Sequence, residues 1–108
     1  KDMLKVGGEN VAAARIEQAI LPLPGVREVA VVAKKHAMLD EVPVAFVIPQ
    51  GGVAGTQPAF AEAILAACRE RLADFKVPRE VHFVDDMPRS TLEKIAKAEL
   101  RRRLEAGP

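Results

Sequence analysis

The sequence predicts an α+β fold, with an N-terminal hairpin and a small three-stranded sheet packed with helices. Three observations carry that expectation. Gly7-Gly8 interrupts a short segment near the start, the runs 26–33 and 42–48 are rich in β-branched residues, and apolar residues recur at helical spacing around them. The order hairpin, helix, strand, strand, helix, strand, helix is that of helices covering one small sheet.

Each element has its own reason. Residues 1–6 and 9–11 read as the arms of the hairpin, because paired glycines accept the positive φ of a tight reversal. Asn10 is placed as the cap of the next helix. Over 12–21 the apolar Ala13, Ile16 and Ile20 form one stripe, and Pro22, Pro24 and Gly25 stop the helix. Residues 26–33 and 42–48 are strands, the second continuously apolar and so covered on both faces, with 34–40 as their link. Pro49-Gln50-Gly51-Gly52 and Gly55 form a loop. Phe60, Ile64, Cys68 and Leu72 then mark one face of a helix ending near Phe75. Val81 and Phe83 alternate with His82 and Val84 in a third strand, and a basic helix closes the chain.

Composition narrows the classes. The chain has 108 residues, 49% of them apolar and 29% charged, which is enough for one domain with a modest core. A net charge of +1 gives no global attraction to nucleic acid or anionic membrane, although Arg101-Arg102-Arg103 is a local cluster. One cysteine excludes an internal disulfide, and no Cys/His spacing fits zinc, so no metal site is assigned and a reducing cytoplasm is the expected compartment. No apolar run approaches the roughly 18 residues of a membrane span. The start at Lys1 is read as the middle of a longer polypeptide.

Near the C-terminus, Pro88-Arg89-Ser90-Thr91-Leu92-Glu93-Lys94-Ile95 reads as a helix start, with Ser90 and Glu93 as a capping box. That puts Lys94 in the first helical turn, at the positive end of the macrodipole, where an anion is favoured over another cation. Such an ammonium suits delivery to a phosphate or carboxylate. From this segment alone, membership of the solvated face of an amphipathic helix is the simpler reading of Lys94. Lys94, Lys97 and Arg101 share that face, while Leu92, Ile95, Ala96, Leu100 and Leu104 make the buried one. His36 and His82 lack partners at ligand spacing and are placed on a loop and a strand surface.

Two segments, read together, say more. Lys1-Asp2-Met3-Leu4-Lys5-Val6-Gly7-Gly8-Glu9-Asn10-Val11, followed by Ile16-Glu17, resembles the hinge and following loop of acyl- and aryl-CoA synthetases of the adenylate-forming superfamily. Phe75-Lys76-Val77-Pro78 and then Pro88-Arg89-Ser90-Thr91 to Lys94-Ile95 resemble that family's closing motif, in the family's order and separation. The segment 24–32 resembles the strand after its first helix, so the resemblance covers essentially the whole chain. It implies that 1–108 is the C-terminal mobile domain of an AMP-forming acid–CoA ligase, beginning at the hinge. ATP, Mg2+ and coenzyme A are its implied cofactors, with ATP and Mg2+ held mainly by the N-terminal domain of the same polypeptide, and a small carboxylic acid is its substrate.

By the same resemblance Lys94 is the catalytic lysine of adenylation, and Lys1 with Asp2 is the hinge. Lys5, Gly7 and Gly8 contact CoA or the adenylate in the second half-reaction. The isolated domain is expected to be inert. Glu93 stands where the family has Gly, Arg15-Ile16-Glu17 stands where it has Glu-x-Glu, and neither the Gly-Arg pair before the hinge nor a glycine-rich phosphate loop occurs. Two rival readings are the tail of a peptide-synthetase adenylation domain and a basic nucleic-acid-binding module. With Phe the only aromatic type, no base-stacking pattern accompanies the basic face, so no nucleic-acid partner is assigned.

Overall fold

A computed structural model describes residues 2–90 and 94–106. The hairpin forms as expected: β1 (Met3–Val6) pairs antiparallel with β2 (Glu9–Ala12), and Val6 faces Glu9 across a two-residue turn. Gly7 at φ 57° and Gly8 at φ 89° supply the two positive φ values of a type I′ turn. Helix α1 (Ala13–Ile20) follows at once, burying Ala13, Ile16 and Ile20. Its N-cap is Ala12, with no side-chain cap. The predicted cap, Asn10, instead sits in β2 opposite Lys5, because the strand runs directly into the helix.

Strands β3 (Val26–His36) and β4 (Asp40–Pro49) make the central hairpin. Both outrun the predicted spans, since pairing continues through Lys34↔Val42 to His36↔Asp40. His36 makes the sharp reversal possible: its Nδ1 accepts the amides of Met38 at 3.1 Å and Leu39 at 3.0 Å, donors that the turn would otherwise leave unpaired. Helix α2 (Ala59–Arg71) ends earlier than predicted, where Leu72 turns extended at φ −126° and ψ 149°, and Asp74–Lys76 form a separate 3₁₀ turn. Strand β5 (Glu80–Phe83) runs parallel to β4, pairing Val44↔Glu80 to Val47↔Phe83. Helix α3 (Lys97–Ala106) closes the described chain.

The predicted hairpin and three strands are hydrogen-bonded into one five-stranded sheet, in the order β2-β1-β4-β3, with β5 also on β4. The hairpin joins through Val6↔Asp40. Alternation along β3 and β4 then sorts the core into two layers. Val31, Ala45 and Val47 face α1 and α2, packing with Ile16, Ile20, Ile64 and Cys68. Ala30, Val32, Val44, Phe46 and Ile48 face the other way, onto Met87 and Leu100. A strand covered on both faces needs apolar residues at every position, which is why 42–48 carries no polar alternation.

Candidate functional site

Lys94 does not lie in the first turn of the C-terminal helix. That helix begins at Lys97, and Lys94 precedes it on an irregular connection, exposed to solvent. Backbone pairing has claimed the Ser90 amide, one of the donors that a capping box would have used. The Ser90 amide donates to the Lys94 carbonyl at 2.7 Å, Arg89 and Ile95 form an antiparallel bridge, and the Ala96 amide donates to Pro88 at 2.8 Å. The Ser90 backbone is therefore paired strand-like with Lys94, and the predicted partner in the capping box, Glu93, lies outside the described residues. Arg89, from the same motif, meets Glu28 of β3 at 2.7 Å, tying this segment to the sheet. Ile95 and Leu104 add apolar contacts under it.

The shared basic face of Lys94, Lys97 and Arg101 is also corrected. The Lys97 side chain is only 19% exposed, and its ammonium points between two carboxylates, Glu17 at 2.7 Å and Asp2. Of the hinge pair, Lys1 lies outside the described residues, while Asp2 is fixed from both its groups: its carboxylate meets Lys97 and its carbonyl accepts the Ala13 amide at 3.1 Å. The sequence reading missed this link because it joins residues 95 apart in the chain.

The third group of residues, Lys5, Gly7 and Gly8, stands together on the first hairpin. The Lys5 side chain is exposed, and its amide donates to the Glu41 carboxylate at 2.8 Å. The Gly7 amide donates to the Leu39 carbonyl at 2.8 Å, and a Cβ on Gly7 would stand 3.3 Å from Leu39 Cδ2. Gly8 faces open space. Beside this turn runs a groove lined by Val6, Gly7, Glu9, Leu39, Phe75 and Arg79. Phe75 is partly exposed, with the Lys76 ammonium 5.7 Å from its ring centroid. Arg79 was not singled out from sequence; its closeness to the Phe75-Lys76-Val77-Pro78 motif was the available signal. A second, apolar hollow at the opposite end of the β3–β4 hairpin, by Pro24, Pro49, Thr56 and Phe60, has no charged side chain in its wall.

Electrostatics elsewhere are structural. Hydrogen bonds from Lys34 and then His82 hold the Glu80 carboxyl below the ordinary glutamate range. His82 also stacks on Phe46, with centroids 5.1 Å apart. Burial pushes the Cys68 thiol up, so it is a core residue and not a poised nucleophile. Among the described residues no three His, Cys, Asp or Glu side chains are grouped to hold a metal, and no helix is long and apolar enough to cross a membrane.

Residues 15–94 match the family described as AMP-binding enzyme C-terminal domain. The chain is 39% identical over 104 residues to a 2-succinylbenzoate–CoA ligase of Bacillus cytotoxicus, covering 96% of this chain and 20% of that protein. Among solved structures it resembles apo MatB from Rhodopseudomonas palustris, with a TM-score of 0.88 and 37% identity over 97% of this chain and 20% of the other. ATP-bound MatB from the same organism gives 0.87 and 36%, again with 97% and 20% covered. The chain thus spans about one fifth of the length of the relatives it matches.

Proposed function

The chain belongs to the AMP-binding enzyme C-terminal domain family, and from that premise we propose that it is the mobile C-terminal domain of an AMP-forming acid–CoA ligase, with residue 1 at the hinge. The observation that carries this reading is the setting of Lys94: an exposed side chain on a connection pinned by two backbone hydrogen bonds, Ser90 to Lys94 and Ala96 to Pro88. When a carboxylate attacks the α-phosphate of ATP, negative charge gathers between groups that are already anionic. An ammonium delivered into that water-poor cleft offsets it. Because Lys94 rides on a separate domain, this help arrives only on closure, which also shields the labile adenylate from water.

For the second half-reaction the Gly7-Gly8 turn and the groove beside it would receive the pantetheine arm of CoA. The missing side chain at Gly8 leaves room for a chain to pass, and the exposed Lys5 ammonium is available to a phosphate. Mg2+ would be held with the ATP phosphates by the rest of the enzyme. The small carboxylic acid binds outside this domain, the domain alone is inert, and the whole enzyme is placed in the cytoplasm. The resemblance to a 2-succinylbenzoate–CoA ligase and to ATP-bound MatB supports this assignment.

The test is acceptor choice in the full-length enzyme. Given acyl-adenylate with either CoA or a carrier protein's pantetheine arm, it should transfer to CoA. Transfer to the carrier arm alone would replace this reading with a peptide-synthetase adenylation domain.

A further inference from the structure

Lys97 is the first residue of α3, where the helix dipole disfavours a cation. Its ammonium is nonetheless largely covered and held by two carboxylates from distant parts of the chain. Glu17, on α1, also accepts the Val31 amide of β3 at 2.9 Å, so its carboxylate has a second anchor besides Lys97. Asp2 is anchored separately, through its carbonyl, to the first residue of α1. One side chain thus joins the start of α3, the segment leading in from residue 1, and the α1 layer. Three residues upstream, the chain is already pinned at Ser90–Lys94 and Pro88–Ala96, so little backbone freedom separates Lys97 from Lys94.

We propose, resting on the adenylation role given to Lys94 above, that Lys97 is a positioning residue: by clamping α3 to Asp2 and Glu17 it fixes where Lys94 points when the domain closes. It touches neither nucleotide nor acid. Its effect passes through Lys94 and belongs to adenylation. A small displacement of a catalytic group is costly, as much as roughly 10²-fold for about 1 Å.

The experiment uses the full-length enzyme and measures the two half-reactions apart, adenylation by pyrophosphate exchange and thioester formation from supplied acyl-adenylate. Lys97→Met is expected to slow adenylation about tenfold while changing thioester formation less than about twofold, and Lys97→Arg should restore most of the loss. In a Lys94→Ala background, Lys97→Met should add less than about twofold, because the group it positions is gone. Glu17→Gln, which leaves Lys97 its Asp2 partner and keeps an oxygen for the Val31 amide, should give a smaller loss with the same selectivity, and it decides the matter if Lys97→Met fails to fold. Equal loss in both half-reactions, full additivity with Lys94→Ala, or no loss would overturn the positioning role while leaving Lys94 its own. An unimpaired Lys94→Ala enzyme would overturn both.

Discussion

The Ser90 amide donates to the Lys94 carbonyl at 2.7 Å, joining the chain on either side of residues 91–93. The backbone at Lys94 is thereby held while its side chain remains exposed. In the full-length enzyme Lys94→Ala is expected to slow adenylation by at least about 10²-fold, the scale of losing a preorganised charge-stabilising donor. Thioester formation from supplied acyl-adenylate should largely persist. Separate half-reaction assays check this, and equal loss of both would point to misfolding instead.

Gly8 has open space around its Cα but a φ of 89°. Gly8→Trp should impair thioester formation more than pyrophosphate exchange, by filling the path proposed for the pantetheine arm. Gly8→Asn controls for backbone strain, since Asn tolerates positive φ better than most residues. It should retain much more CoA-dependent activity than the tryptophan variant. The reverse order would remove the groove from the mechanism.

Glu80 gives the fold a measurable pH dependence. Its carboxyl is held below the ordinary range by Lys34 and His82, so the folded state binds its proton less readily than the unfolded chain. That contribution is present above the unfolded value of about 4.3 and is lost as pH falls through the lower folded value. Glu80→Gln should therefore be less stable than the parent at neutral pH, modestly because the pair is partly exposed, with the difference closing in acid. Urea melts across a pH series decide it. A pH-independent gap would assign the loss to packing.

Leu100 is fully buried and fastens α3 beneath β3 and β4. Leu100→Ala should cost about 2–5 kcal/mol of unfolding free energy, the usual range for such a cavity. Chemical denaturation measures it. A loss below about 1 kcal/mol would mean that α3 collapses readily onto the sheet.

Much of this architecture is written in local chemistry. Gly7-Gly8 specifies its turn because two successive positive φ values leave few alternatives, and the apolar run 42–48 announces a strand sandwiched between layers. Leu100 and Leu104 follow from helical spacing. The start of α3 does not, because Ser90 and Glu93 match a capping pattern, yet the Ser90 amide is taken by the Lys94 carbonyl and the helix begins only at Lys97. Nor could spacing reveal that Lys97 turns inward, since its partners at Asp2 and Glu17 are supplied by the fold alone. The N-terminal hairpin was visible in sequence, but its union with the sheet, through the register pair Val6↔Asp40 and the bonds of Gly7 to Leu39 and Lys5 to Glu41, leaves no periodic trace.

Strand β3 is the last in its sheet, and such a border invites a stray strand from another molecule to add itself. The Val31 amide, midway along that border, is already occupied by the Glu17 carboxylate. An incoming backbone would meet a spent donor and a carboxylate where it needs an open ladder. The same glutamate that steadies Lys97 thus also guards the protein against edge-to-edge aggregation.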